Sequence, residues 1–266
     1  MAVSISIRTA VLLALAASSA SLATNRYPVD PLASPMWVAH ARSLFGNDPV
    51  RFDPRVQVGM PMIAENQRVF PVTVDARAIP DVVRIVVIAD LNPIPIAIDY
   101  RPAAAAAYLA TRIKLDQRTP VRAAVQLADG QWLVGGRWID AAGGGCSAPP
   151  VSRVKGDWAI HLGEMRGEAW PNTPTSSRLR ISFRHPMDTG LVDNIPSYHL
   201  ESLTVTGQGG RPIGSMDIWA AVAEDPVFTM MPKAGPGEPL RIVARDTGGR
   251  EYRASVTVAR QTGAKP

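Results

Sequence analysis

Residues 121–139 read VRAAVQLADGQWLVGGRWI. Two apolar-rich runs, 121–128 and 131–139, flank Asp129-Gly130, a pair that tolerates the positive φ of a tight two-residue hairpin turn. This stretch predicts a β-hairpin. Upstream, short runs rich in Val, Ile and Thr at 69–75, 82–90, 94–100 and 108–115 read as further strands, with Asn92-Pro93 as a turn between two of them. An all-β architecture follows. The chain has 266 residues, 46% hydrophobic and 19% charged, with 21 Gly and 24 Pro. That is enough apolar material for a sizeable core, and too many breakers for a helical bundle. One helix is predicted ahead of the strands. Ser34-Pro35 supplies a cap and first turn, Trp37, Ala41 and Leu44 recur at helical spacing, and Gly46 closes it. Trp37 is expected to dock this helix on the core.

Residues 141–150, AAGGGCSAPP, form the sharpest compositional break. They carry no charge and no large side chain, and read as a flexible Gly-rich linker stiffened by Pro149-Pro150. Beyond it, strands resume at 152–155, 179–184, 198–206, 215–222, 240–246 and 252–259, with hairpin turns at Gln208-Gly209-Gly210 and Thr247-Gly248-Gly249. The reading is two immunoglobulin-like β-sandwich domains, over 24–140 and 151–266, joined by the linker.

Residues 1–23 show one charge at Arg8, an apolar run over 10–17 and small residues in Ser21-Leu22-Ala23, the layout of a cleavable signal peptide. The run is too short to span a bilayer. Export to the periplasm is therefore expected. In an oxidising compartment cysteines usually occur in pairs, yet Cys146 is the only one, in the middle of the linker. It is the leading candidate functional residue. Gly143, Gly144 and Gly145 before it suit an arm that presents the thiol to another protein, with Arg137, Arg153 and Lys155 as candidate cations to favour the thiolate.

Other chemistries find little support. Basic residues are scattered through a chain of net charge +5, which speaks against nucleic acid. His40, His161, His185 and His199 lack metal-ligand spacing. No nucleophile elbow, phosphate loop or dinucleotide fingerprint occurs, so no cofactor and no catalysis of its own are expected.

The segments Pro61-Met62-Ile63-Ala64-Glu65-Asn66, Val69-Phe70-Pro71-Val72, Asn92-Pro93-Ile94-Pro95, Thr111-Arg112-Ile113 and Gly143-Gly144-Gly145-Cys146 resemble SoxY, the cysteine-bearing subunit of a sulfur-oxidation carrier. His185-Pro186-Met187-Asp188-Thr189-Gly190, Ile195-Pro196, Asp225-Pro226-Val227-Phe228 and Asp246-Thr247-Gly248-Gly249 resemble its companion SoxZ. The whole resembles a fused SoxYZ-like carrier of the kind associated with quinoprotein dehydrogenases. The resemblance implies that Cys146 holds a small sulfur anion covalently while sulfur-oxidation enzymes process it, as in thiosulfate oxidation. It differs at the arm, which in the family ends the chain and here runs into Ser147-Ala148-Pro149-Pro150. Two alternatives stand beside the carrier: a module docking on a quinoprotein dehydrogenase or its cytochrome, with the thiol incidental, and a dimer linked through Cys146. The His185 to Gly190 motif is read as a structural turn or subunit contact.

Overall fold

In strand after strand of this chain, apolar side chains alternate with polar ones, and each such stretch has to bury one face. The computed structural model describes residues 26–260; the leader read at 1–23 lies outside them. The first half holds helix α1 (Trp37–Phe45) and strands β1 (Val50–Phe52), β2 (Gln57–Gly59), β3 (Ile63–Ala64), β4 (Phe70–Asp75), β5 (Val82–Ala89), β6 (Ile96–Pro102), β7 (Ala105–Ile113), β8 (Thr119–Leu127) and β9 (Trp132–Ala141). The second holds α2 (Val151–Lys155), β10 (Met165–Thr173), β11 (Ser176–Phe183), β12 (Leu200–Thr206), β13 (Pro212–Ile218), β14 (Val227–Pro232), β15 (Pro239–Asp246) and β16 (Glu251–Thr257). No helix among them is long and apolar enough to cross a membrane.

The hairpin at Asp129-Gly130 forms as read. Gly130 takes φ +88°, Leu127 N–H donates to Gln131 O, and β8 pairs antiparallel with β9. β8 is buried over seven successive residues because its sheet is covered on both faces. Val121, Ala123 and Val125 enter the core between the sheets, while Ala124 packs with Trp37, Phe45 and Trp132 beneath α1. On that outer side Arg122, 1% exposed, pairs with Asp90 at 2.9 Å and Asp30 at 2.6 Å and lies over the Trp37 ring. Burial of Trp37 accords with its reading as a docking residue.

Two sheets result, one ordered β1-β9-β8-β5-β6-β13-β12-β15-β16 with β3 beside β9, the other β10-β11-β14-β7-β4-β2. Each half contributes to both. The halves meet edge to edge: β6 pairs antiparallel with β13, setting Ile98 opposite Ile218, and β7 with β14, setting Leu109 opposite Met230. Four strand edges that two separate sandwiches would expose are thereby paired. The core between the sheets is one cluster, shared by both halves, in which Tyr100 and Leu109 join Leu179, Met216 and Phe228. Arg101, bonded to Asp99 and to Asp217, ties β6 to β13 across the seam.

Three local readings change. Residues 152–155 form α2 rather than a strand, because Pro150 opens a turn and Glu224 accepts from the free Val151 and Ser152 N–H groups, at 2.7 and 2.8 Å. β10 went unread because it is a polar edge strand, MRGEAWPNT, with one buried residue. β14, VFTMMP, follows Pro226 and ends on Pro232, and these prolines masked a buried central strand.

Candidate functional site

The seam between the halves converges on Cys146. Lys114 leaves the end of β7 with its backbone N–H bonded to Ala221 O of the second half. Asn92, in the turn after β5, fixes the next residues by donating to Lys114 O and accepting from Asp116 N–H, at 2.7 and 3.0 Å. The loop at 114–116 is thus a rigid ledge. The cysteine segment lies on it: Gly144 N–H donates to Asp116 O, Gly145 N–H to Leu115 O, and Cys146 N–H to Asp116 Oδ1 at 3.0 Å. Ser147 adds its N–H and hydroxyl to the same Asp116 oxygen.

The second half closes the site from the other side. The turn His185-Pro186-Met187-Asp188-Thr189-Gly190 places Thr189 Oγ1 to donate to Cys146 O at 2.7 Å. Met187, at φ +53°, points its carbonyl at Lys114 Nζ, 2.5 Å away, and Ala220 O takes a second Lys114 proton at 2.7 Å. Asp188, fully buried, is gripped by the Arg153 guanidinium just after the cysteine segment. The turn is therefore a second contact between the halves, beside the two strand ladders, in keeping with its sequence reading.

Several expectations are corrected here. Cys146 has no exposed surface, and the segment read as a mobile linker is docked and hydrogen-bonded. The glycines fit the ledge closely. A Cβ at Gly145 would stand 2.3 Å from Leu115 O and 2.4 Å from Gln67 O, and Gly143, at φ +97°, would meet Asp116 O at 2.9 Å. The cation beside the thiol is Lys114, and none of the three named from sequence. Arg137 is engaged with Met60 O and Pro61 O, and Arg153 with Asp188. Burial pushes the Cys146 thiol up to about 12, a rise opposed by the Lys114 charge and reinforced by Asp116. Burial likewise draws Lys114 down to about 8. At neutral pH the docked pair is a thiol beside an ammonium, and the sulfur is not a nucleophile.

Lys114, Asp116 and Thr189 were missed as partners because each is thirty or more residues from Cys146 in the chain. The histidines stand apart: His40 is bonded to Asp90 O, His161 to Glu164, and His199 to Ser197. Among the described residues no three metal-ligating side chains gather.

Two predictions arise here. Thr189→Val removes one hydrogen bond to the docked segment, worth about 1 kcal/mol, so thiol labelling should accelerate roughly fivefold. Ellman's reagent under pseudo-first-order conditions reads this, and an unchanged rate would mean that Thr189 does not latch the segment. His185 is buried, and that burial holds it down to about 3. Its unfolded counterpart takes a proton below about 6.5, so its contribution is complete above pH 6.5 and is lost as pH falls toward 3. Urea unfolding of His185→Asn, which keeps an acceptor for Met187 N–H, should lose about 3 kcal/mol less than wild type between pH 6.5 and 4. Parallel pH curves would rule this out.

Comparisons with known proteins add to this geometry. Residues 41–146 match the family SoxY, sulfur oxidation protein SoxY, a match that ends on Cys146 itself. Residues 169–257 match the family SoxZ, sulphur oxidation protein SoxZ. Among solved structures, the sulfur carrier protein SoxY from Chlorobium limicola f thiosulfatophilum is 21% identical, with 40% of this chain and 94% of that chain covered and a TM-score of 0.35. A beta-glycosidase from Bacteroides vulgatus is 9% identical over 84% of this chain and 26% of that one, with a TM-score of 0.24. No curated protein matches the chain.

Proposed function

We propose, from the premise that this single chain unites a SoxY-family segment with a SoxZ-family segment, that it carries a sulfur intermediate covalently on Cys146 and presents it to sulfur-oxidation enzymes. The observation that carries the reading is the position of Cys146. It is the sole cysteine, it closes the SoxY match, and its backbone is held by Asp116 of one half and Thr189 of the other. A side chain with no exposed surface has no room for added atoms, so the docked state is the empty, resting carrier. Loading takes place after Gly143, Gly144, Gly145 and Cys146 leave the ledge and the thiol regains an ordinary pKa near about 8.5.

In loading with thiosulfate, the Cys146 thiol loses its proton and its sulfur bonds to the terminal sulfur of the anion. Two electrons pass to a redox partner protein, and an S-thiosulfonate remains on the cysteine. The chain supplies the attachment point, and partner enzymes supply the chemistry of each step. The apolar run and small residues over 1–23 support export, and the periplasm is the compartment in which this carrier would work. A quinoprotein dehydrogenase system is the partner class to test beside sulfur-oxidation enzymes.

One observation favours a second reading, a docking module with an incidental thiol: the complete burial of Cys146. Intact mass of the protein isolated from its native source, before and after reductant, separates the two. A reductant-labile increment on Cys146 identifies the cargo by mass. A free thiol under every growth condition favours the docking module, and a doubled mass the disulfide dimer.

A further inference from the structure

The outer face of the sheet beside the cysteine segment carries an unbalanced group of arginines. A groove of about 460 Å³ there is lined by Arg112 at the end of β7, Arg166 on β10, and Arg180 and Arg184 on and after β11. Its two carboxylates are already engaged. Glu164 is bonded by His161 Nδ1 at 2.6 Å, and Asp225 by Arg184 and by His185 N–H. Among the described residues, Arg112, Arg166 and Arg180 have no carboxylate within 4.0 Å. Even Glu168, opposite Arg180 in the strand register, forms no ion pair with it.

Arg112 is the centre of the group. Its Nη2 donates to the Asp225 carbonyl at 2.8 Å, but its Nε is buried with no partner. A buried N–H without an acceptor is costly, and a ligand oxygen would relieve it. Burial and the neighbouring Arg180 charge both hold the Arg112 guanidinium below its usual range. The Asp225 carboxylate, bonded to Arg184, offsets only part of this.

We propose that this groove binds a tetrahedral oxyanion of two negative charges, seated between Arg112 Nε and the Arg180 guanidinium with Arg166 at its rim. A dianion matches the two guanidinium charges, whereas a monoanion leaves one of them uncompensated. Its several oxygens accept from planar guanidinium forks in different directions, which one carboxylate cannot do. The groove shares Arg112, Arg184 and Asp225 with the adjoining hollow at α2, where Val151, Ser152 and Lys155 follow the cysteine segment. The anion therefore sits near the root of that segment. Its binding does not depend on the carrier reading, and Cys146→Ser should bind it with unchanged affinity.

The test follows the arginine Nε–Hε resonances of the mature protein by NMR at low ionic strength. Sulfate, thiosulfate and phosphate are titrated in separate arms against chloride at matched ionic strength. The expected result is a saturable shift of the Arg112 resonance with at least one dianion, and an affinity at least tenfold weaker in Arg180→Gln. Arg180 is exposed, so this variant keeps the fold. The ranking of the three anions names the natural class. Equal, unsaturating responses to chloride and to every dianion would overturn the proposal. So would saturation by a glutamate-rich peptide alone, which would make the groove a contact for an acidic protein.

Discussion

In Cys146→Ser the reductant-labile mass increment should disappear completely, while the protein remains folded. The backbone hydrogen bonds of residue 146, to Asp116 and from Thr189, do not involve the sulfur and persist in the variant. A serine hydroxyl in this buried place adds a polar group without an evident partner, at about 1 kcal/mol, which lowers the melting temperature by about 2–4 °C for a chain of this size. Loss of loading with native circular dichroism therefore reports chemistry rather than unfolding. An increment retained at the wild-type level would end the carrier reading. Loss of the increment with full function of the partner system in cells would leave the protein as a docking module.

Gly145→Ala should release the thiol. In the docked state the new methyl group would stand 2.3 Å from one backbone oxygen and 2.4 Å from another, and backbone on a hydrogen-bonded ledge cannot give way cheaply. The hydrogen bonds that dock the segment together amount to about 3 kcal/mol net, so docking protects the thiol about a hundredfold. Labelling by Ellman's reagent at pH 8 should accelerate by about that factor in Gly145→Ala. Gly144→Ala is the control, since nothing lies within 4 Å of its Cβ position and only its φ of +79° resists. It should gain about fivefold. If both variants label at the wild-type rate, burial of Cys146 does not depend on docking and the release step fails.

The strands at 69–75, 82–90, 121–128 and 131–139 were legible because each alternates, or runs apolar, within a window that local turns delimit. The second half was less so. β10 has almost no apolar face, since it lies at a sheet edge, and the short stretch at 152–155 turns helical on account of Glu224, some seventy residues away. Cys146 stood out by composition alone. What held it did not, because Lys114, Asp116 and Thr189 are ordinary residues until tertiary structure brings them together. The glycines misled in an instructive way. Three in a row read as freedom of movement, whereas Gly145 is needed because two carbonyl oxygens leave no space for a Cβ, and Gly143 because of its positive φ.

The strand pairing of β6 with β13 and of β7 with β14 bears on what the peptide between the halves is for. Two continuous ladders and a common apolar interior already make the halves a cohesive pair, so a single backbone cut between Ala141 and Val151 would leave a non-covalent heterodimer still assembled. The covalent connection contributes something else. It anchors the cysteine segment at both ends, so that on release Cys146 forms the apex of a closed loop rather than the tip of a free tail. If the protein works as the proposed carrier, a partner enzyme would then have to admit a doubled strand, through a slot open along one side instead of a narrow tunnel.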